Sequence, residues 1–424
     1  MRRSAGERAG HRATTANAQA IYPFFGENGL GDGGVLIGTD LHGSAFTYDP
    51  FVLYERRVIS NPNLFIAGEV GAGKSSLVKS YLYRQALFGR VPWIADPKGE
   101  YGPLAAALGI EPIRLAPGSG IRLNPISRDA GWDGQLNLLR ALAAGSLDRR
   151  LDPEEEGGLR EALRLVNEDL DVEPALPAVV SALFRPHGAM AERLVTTTQA
   201  LAKRCRDVAL GLQRLCEGDL RGMFDGPTTP GLRLDGRGVV LDLSAFYDSA
   251  ALGIVMTCAS AWQRAMIARL HSEADREGRL ARKMLNVFDE AWRALGLLGV
   301  AEWLQAAFKL SRRDGVQNIV VTHRLSDLSA AGAAGSRERE LAEGLLHDAQ
   351  TRVIYRQTPE SVAKMRDPIG MTSLEAELLP ELGDGIALWK VGTRGFLVQH
   401  RLSEIERAIV DTDGRMVTDS GTRR

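Results

Sequence analysis

The residues Gly68-Glu69-Val70-Gly71-Ala72-Gly73-Lys74-Ser75 have the spacing G-x-x-x-x-G-K-[ST], the pattern of a loop that wraps phosphate groups. Its glycines let the backbone curl so that successive N–H groups face an anion, and the positive end of a following helix adds to that field. Lysine at 74 is suited to reach the β and γ oxygens of a nucleoside triphosphate, and serine at 75 to give its hydroxyl to Mg²⁺. The expected binding set is Gly68, Glu69, Val70, Gly71, Ala72, Gly73, Lys74, Ser75 and Ser76, with ATP and Mg²⁺ as ligands. Context agrees: Leu64-Phe65-Ile66-Ala67 reads as a strand leading in, and Ser75 to about Phe88 as a helix leading out, stopped at Gly89.

Binding alone does not cut a phosphate bond; an acid pair at the end of another buried strand does that work. Met284-Leu285-Asn286-Val287-Phe288-Asp289-Glu290 supplies one. Asp289 is assigned to the Mg²⁺ shell with Ser75, and Glu290 to orienting or deprotonating the attacking water. The plain alternative, a solvated acidic helix start, fits poorly with an apolar strand running straight into two carboxylates. Two more strand ends converge on the same crevice if the sheet is parallel, since ligands bind beyond the carboxyl ends of such strands. They are Asp96-Pro97-Lys98-Gly99-Glu100-Tyr101 and Thr322-His323-Arg324. His323 is a candidate sensor of the γ-phosphate, or equally a strand-end histidine. The charged residues of 96–101 read equally as a surface turn.

The elements that must carry these residues follow from the pattern of apolar runs. Strands are expected at 91–95, 238–243, 284–288, 318–322 and 352–355, alternating with helices, which implies an α/β chain with a mostly parallel sheet. A short β segment between Gly34 and Leu53 and a hairpin at 386–398 are placed at the edge. Asp152-Pro153-Glu154-Glu155-Glu156 is a well-formed acidic helix start, and residues 127–220 as a whole read as an inserted all-helical lobe with its own core above the crevice. The division is 1–55 for an N-terminal arm and β segment, 56–126 and 221–403 for the core, 127–220 for the lobe, and 404–424 for a flexible tail.

Composition narrows the classes. In 424 residues, 52 basic and 53 acidic side chains nearly cancel, so the average field gives no reason to expect avid nucleic-acid binding, although a local basic strip remains open. Cys205, Cys216 and Cys258 have no paired spacing and read as reduced structural thiols. The most apolar stretch, Ala250 to Trp262, is too short to span ~30 Å of hydrocarbon, so no integral membrane segment is expected.

Taken together, Gly68 to Ser75, Asp-Pro-Lys-Gly-Glu-Tyr at 96–101, Leu123-Asn124-Pro125, Asp289-Glu290-Ala291-Trp292, and Ser311-Arg312-Arg313 before a strand ending in Thr322-His323 resemble the conjugation and type IV secretion ATPases of the TraC/TrbE kind. Those belong to the HerA–FtsK superfamily of RecA-like P-loop NTPases, and the resemblance runs from about Gly34 to Ser403. It implies a RecA-like fold, a homo-hexamer, and Mg²⁺-dependent ATP hydrolysis that energises a conjugative DNA-transfer or type IV secretion apparatus. Secretion-channel or coupling proteins are the implied partners, DNA a candidate one, and the location cytoplasmic, peripheral at the inner face of the cell membrane. The alternative is a hexameric DNA-translocating motor of the FtsK/HerA type. A non-hydrolysing switch is a third reading, against which Glu290 argues.

The family's subunit-bridging arginine falls by this resemblance on Arg313, with Arg312 second, and Arg394 resembles a further arginine near the nucleotide. The implied catalytic set is thus Glu290, Lys74, His323, Arg313 and Arg394. Two departures stand out: the family usually has Gln where this chain has His323, and it usually carries a large N-terminal docking domain where only about sixty residues precede the motor. The chain is therefore expected to be a fragment, or to leave docking to another subunit.

Overall fold

The computed structural model describes residues 29–411, except 148, 219, 231, 233–236, 250, 291–297 and 324–336. The arm ahead of 29, the Ala291-Trp292 pair, Arg324 and the chain beyond 411 lie outside the described residues. The strands are β1 (Val35–Asp40), β2 (Ala45–Tyr48), β3 (Leu64–Ala67), β4 (Val91–Asp96), β5 (Ile113–Arg114), β6 (Val239–Asp242), β7 (Met284–Phe288), β8 (Val316–Thr322), β9 (Thr351–Ile354), β10 (Ile386–Val391) and β11 (Arg394–His400). They form one 11-stranded sheet in the order β2-β1-β11-β10-β9-β3-β8-β7-β4-β6-β5. From β9 to β5 every neighbouring pair is parallel, and from β9 to β2 every pair is antiparallel. The hairpin placed at the edge by sequence is interior, because β11 pairs with β1 and the N-terminal segment supplies the true edge, β2.

The central parallel strands β3, β4, β7 and β8 are buried along their whole length, as a sheet covered on both faces requires. In β3, Phe65 and Ala67 enter one core while Leu64 and Ile66 enter the other; in β7, Met284 and Phe288 oppose Leu285 and Val287. The second of these cores is covered by α1 (Pro50–Glu55), α2 (Lys74–Leu87) and α3 (Gly102–Leu108). The lobe contributes α4 (Gly131–Leu147), α5 (Pro153–Glu168), α6 (Leu176–Phe184), α7 (Gly188–Arg193), α8 (Thr198–Arg204) and α9 (Arg206–Glu217). The first core runs without a break from β3 and β4 through α10 (Leu252–Arg276) into these helices, with Trp93 stacked on Trp262 at 6.0 Å. The lobe therefore does not stand as a separate unit with its own core. Its apolar faces (Leu138 and Leu139, Leu159 and Leu163) share one core with the sheet, which is the larger burial available to them. The acidic start at Asp152 forms as expected: its carboxylate accepts the N–H groups of Glu154 and Glu155 at 3.0 and 2.9 Å, and Glu155 answers with a bond from Asp152 N at 3.0 Å.

The rest of the first face is covered by α11 (Leu298–Leu310), α12 (Arg337–Asp348) and α13 (Pro359–Ile369), followed by α14 (Ser373–Leu378). Among the described residues no helix is long and apolar enough to cross a membrane. All three cysteines are free and buried.

A flexible tail was expected from 404, but a final helix, α15 (Glu404–Val410), occupies its first seven residues. Ser403 and Glu406 form a capping box, an S-x-x-E signal that is local in the sequence. Glu406 pairs with Arg84 of α2, which also donates to the Ile37 carbonyl at 3.2 Å. Beside this hub, His400 Nε2 lies 2.8 Å from Ser80 Oγ. Burial and the neighbouring Arg84 push the His400 imidazole down to about 4, against the pull of Glu406. The unfolded chain thus binds the proton more readily, so this site's stability is present above pH ~6.5 and is lost as the pH falls towards 4. The difference amounts to about 3 kcal/mol at most. Urea unfolding of His400→Gln is expected to show a shallower loss of stability than wild type between pH 6.5 and 4.5; parallel curves would assign the buried imidazole no such role.

Candidate nucleotide site

The loop between β3 and α2 is shaped by its glycines. Gly71 and Gly73 sit at φ 81° and 108°, where a side chain is strained, and a Cβ on Gly68 would lie 2.5 Å from Tyr355 Cβ. Gly73 also caps α2, so no side chain covers the first turn of that helix, whereas α5, α14 and α15 each carry a full capping box. The N-terminus of α2 is thus left facing the cleft, as an anion site requires. Lys74 is 6% exposed, and its Nζ donates to the carbonyls of Gly68 and Glu69 at 2.6 and 2.8 Å, held within reach of the cradle.

Val70, Gly71, Gly73, Lys74, Ser75 and Ser76 line one wall of a cleft of about 590 Å³, a volume suited to a nucleotide. Of the other loop residues, Gly68 and Glu69 hold Lys74 from behind, and buried Ala72 ties the loop to β10 by accepting from Gly385 N at 3.1 Å. Asp289, Glu290, Thr322 and His323 form the facing wall. Sheet order explains the meeting: β8 lies between β3 and β7, so the strand ending in His323 separates the phosphate loop from the acid pair and touches both.

Asp289 and Glu290 are 7% and 2% exposed. Asp289 accepts from Tyr101 Oη at 3.1 Å and from Glu290 N at 3.0 Å. Burial raises its carboxyl above the usual carboxylate range, and the charge of Glu290 raises it further. Glu290 has φ 54°, an uncommon conformation for a non-glycine residue. Its Oε1 receives His323 Nε2 at 2.8 Å and is also paired with Lys98 Nζ. Burial pushes Glu290 up, but hydrogen bonds from His323 and Lys98, with their charges, win and hold it at about 2. His323 therefore carries its proton on Nε2 toward the carboxylate, and its Nδ1 is buried without a hydrogen-bond partner among the described residues.

A divalent cation fits this set. Asp289 is a buried carboxylate strained by a second one beside it, which a cation relieves, and the Ser75 hydroxyl lines the same cleft. Among the described residues no group of three or more His, Cys, Asp or Glu could enclose a metal, so Asp289 and Ser75 would hold such an ion with phosphate oxygens and water as its other ligands, a pattern Mg²⁺ commonly takes.

The segment 96–101, placed at the crevice by its strand end but equally readable as a charged turn, proves to be a built part of the site. Asp96, 2% exposed, accepts four backbone N–H groups: Lys98, Gly99 and Glu100 on Oδ1 at 3.2, 2.8 and 3.1 Å, and Tyr101 on Oδ2 at 2.9 Å. Burial lifts its carboxyl to about 6 against the pull of those groups. The loop so fixed delivers Lys98 to Glu290 and Tyr101 to Asp289. Beneath it Lys79 is fully buried, its Nζ 5.4 Å from the Tyr101 ring centroid. Asp96→Ala strands four N–H groups and is expected to cost about 2–4 kcal/mol, with Asp96→Asn intermediate because one oxygen remains; thermal unfolding of both checks this, and an unchanged Asp96→Ala would deny the loop its anchor. Arg407 and Asp411, at the end of α15, also line the cleft, and no chemical motif in the sequence marked them.

The two arginines lie elsewhere. Arg313 precedes β8 at the sheet edge opposite the cleft, 71% exposed and paired with Asp314 at 2.8 Å; seven residues of strand place it ~20 Å from its own chain's Thr322 end. Arg394 begins β11 at that same far edge, level with Thr351 where β9 starts. Its guanidinium lies 4.8 Å from the Phe396 ring centroid and donates to the Gly29 carbonyl at 3.3 Å. Arg394 is thus away from its own chain's cleft, because the antiparallel β10–β11 turn points away from it, and a role near a nucleotide is a role across a subunit boundary, as for Arg313. Among the described residues, none of the lobe's lines the cleft.

The parallel sheet, the phosphate loop after β3 and the acid pair after β7, with one strand between them, define a RecA-like P-loop NTPase fold. Comparison with solved structures agrees. The chain is similar to VirB4 of Thermoanaerobacter pseudethanolicus, with a TM-score of 0.67 and 20% identity over 89% of this chain and 100% of that one. It is also similar to the plasmid coupling protein TrwB in complex with the non-hydrolysable ATP analogue ADPNP (TM-score 0.57, 16% identity, 91% and 92% covered). TrwB in complex with ADP and Mg²⁺ gives a TM-score of 0.57 at 17% identity over the same shares. No family model and no curated protein matches the sequence. At these identities the likeness establishes the fold.

Proposed function

We propose that this chain is a Mg²⁺-dependent ATPase, working as a homo-hexamer that energises a conjugative DNA-transfer or type IV secretion apparatus from the cytoplasmic face of the membrane. The single observation that carries the chemistry is the meeting of Lys74, Asp289, Glu290 and His323 around one cleft of about 590 Å³. Lys74 and the first turn of α2 bind the phosphates; Ser75 and Asp289 hold Mg²⁺, which when bound offsets charge on the phosphate oxygens. Glu290 orients water and takes its proton, and His323 fixes the carboxylate. The assignment to secretion is supported by the fold shared with VirB4 and TrwB over most of the chain, together with the Asp-Pro-Lys-Gly-Glu-Tyr and Asp-Glu-Ala-Trp sequences. Channel or coupling proteins are the corresponding partners.

Phosphate release from ATP with and without Mg²⁺, and solution mass with and without nucleotide, test the two halves separately. Absence of Mg²⁺-dependent turnover overturns the ATPase reading. A monomer under every nucleotide condition overturns the ring.

A further inference from the structure

The contact between Lys98 and Glu290 is unexpected in a hydrolytic site, since it occupies the carboxylate that has to receive a proton. Both Lys98 Nζ and His323 Nε2 are directed at the same oxygen, Oε1, so two donors draw on the charge of the one carboxylate and weaken it as a proton acceptor. Lys98 is not a drifting surface lysine. Its backbone is pinned by the Asp96 carboxylate through the N–H groups of 98 to 101, its side chain is 25% exposed, and it lines the cleft opposite Lys74.

We propose that Lys98 is a catalytic residue that reads the terminal phosphate: it leaves Glu290 for a γ-phosphate oxygen of ATP, freeing Glu290 to take up water only when a triphosphate is bound. The inference rests on the ATPase reading above. The physical basis is competition for one compact cation. A carboxylate offers a single negative charge, whereas the γ-phosphate offers more charge spread over three oxygens, and an ammonium binds phosphate as a mobile point charge. ADP presents no γ-phosphate, so with ADP the Lys98–Glu290 pair persists and the base stays occupied.

The step that follows balances simply. A bond forms from water oxygen to the γ-phosphorus as the bond from that phosphorus to the β,γ-bridging oxygen breaks; the water proton passes to Glu290 and then to solvent, and ADP and inorganic phosphate leave. Lys98 offsets charge on the transferred group and returns to Glu290 when the phosphate departs.

The test is the ratio of ATP to ADP affinity, measured on the full chain with Mg²⁺ by displacement of a fluorescent ADP analogue, alongside steady-state turnover. Lys98→Met is expected to lower ATP affinity about ten- to a hundredfold, change ADP affinity less than about twofold, and lower kcat at least about tenfold. Lys98→Arg, which keeps the charge, is expected to recover part of the ratio. An unchanged ratio, or an equal loss for both nucleotides, overturns the inference, the second outcome being what a purely structural lysine gives. A rise in turnover also overturns it, because Lys98 would then only restrain Glu290. Lys74→Ala is run beside these variants: if it binds both nucleotides as tightly as wild type, the failure lies with the phosphate-loop reading itself, not with Lys98 alone.

Discussion

Glu290→Gln is expected to bind ATP as wild type does and to release phosphate about 10²- to 10⁴-fold more slowly, the range associated with loss of a positioned general base. The substitution keeps the size of the side chain, which matters at a residue 2% exposed and held at φ 54°. The amide oxygen still accepts from His323, so the fold around β7 and β8 is retained while the proton acceptor is lost. Lys74→Ala is expected to differ in kind, losing affinity as well as turnover, because Lys74 is the cation buried inside the phosphate loop. Measuring phosphate release and nucleotide affinity on both variants separates the roles. A Glu290→Gln protein as active as wild type would remove Glu290 from the chemistry.

Arg313→Ala is expected to lower kcat by about 10³-fold, as loss of an arginine finger does, with little change in nucleotide affinity. Its position carries the argument for action between subunits: in its own chain it lies at the end of the strands opposite the cleft, highly exposed and paired with the adjacent Asp314. It reaches a γ-phosphate only across a boundary between copies. Mixing Arg313→Ala subunits with Lys74→Ala subunits is therefore expected to restore part of the activity, since an intact loop can then meet an intact arginine. No recovery in mixtures whose assembly is confirmed would assign Arg313 no role in trans. Arg312 is the control for the choice between the two neighbours.

The signals that were legible in sequence share one property: they are written in consecutive residues. The phosphate loop, the strand running into Asp289-Glu290, the acidic helix start at Asp152 and the apolar central strands each depend on local spacing, and each forms where expected. The S-x-x-E box at Ser403 was equally local and was overlooked, so the end of the fold was drawn seven residues early.

What sequence could not supply is pairing across long separations. That β11 adds to β1, which moves the β10–β11 hairpin from edge to interior, is a matter of sheet order between segments more than 300 residues apart, and the antiparallel pairing of β10 with β9 is what sets Arg394 at the end of the sheet away from the cleft. The continuity of the lobe with the sheet is of the same kind: amphipathic spacing tells that a helix has an apolar face but not what covers it, and burial against α10 and the strands decided that. So too for Asp96, Lys98 and Tyr101. A charged turn and a structural nest are identical as strings of residues. Only the adjacency of β4 to β7 brings Lys98 against Glu290 and Tyr101 against Asp289, because side chains at neighbouring strand ends meet whatever their distance along the chain. The sequence alone thus placed the phosphate-loop pattern before one helix and the acid pair at the end of one strand, because both are local; the tertiary structure decided which cations those acids face.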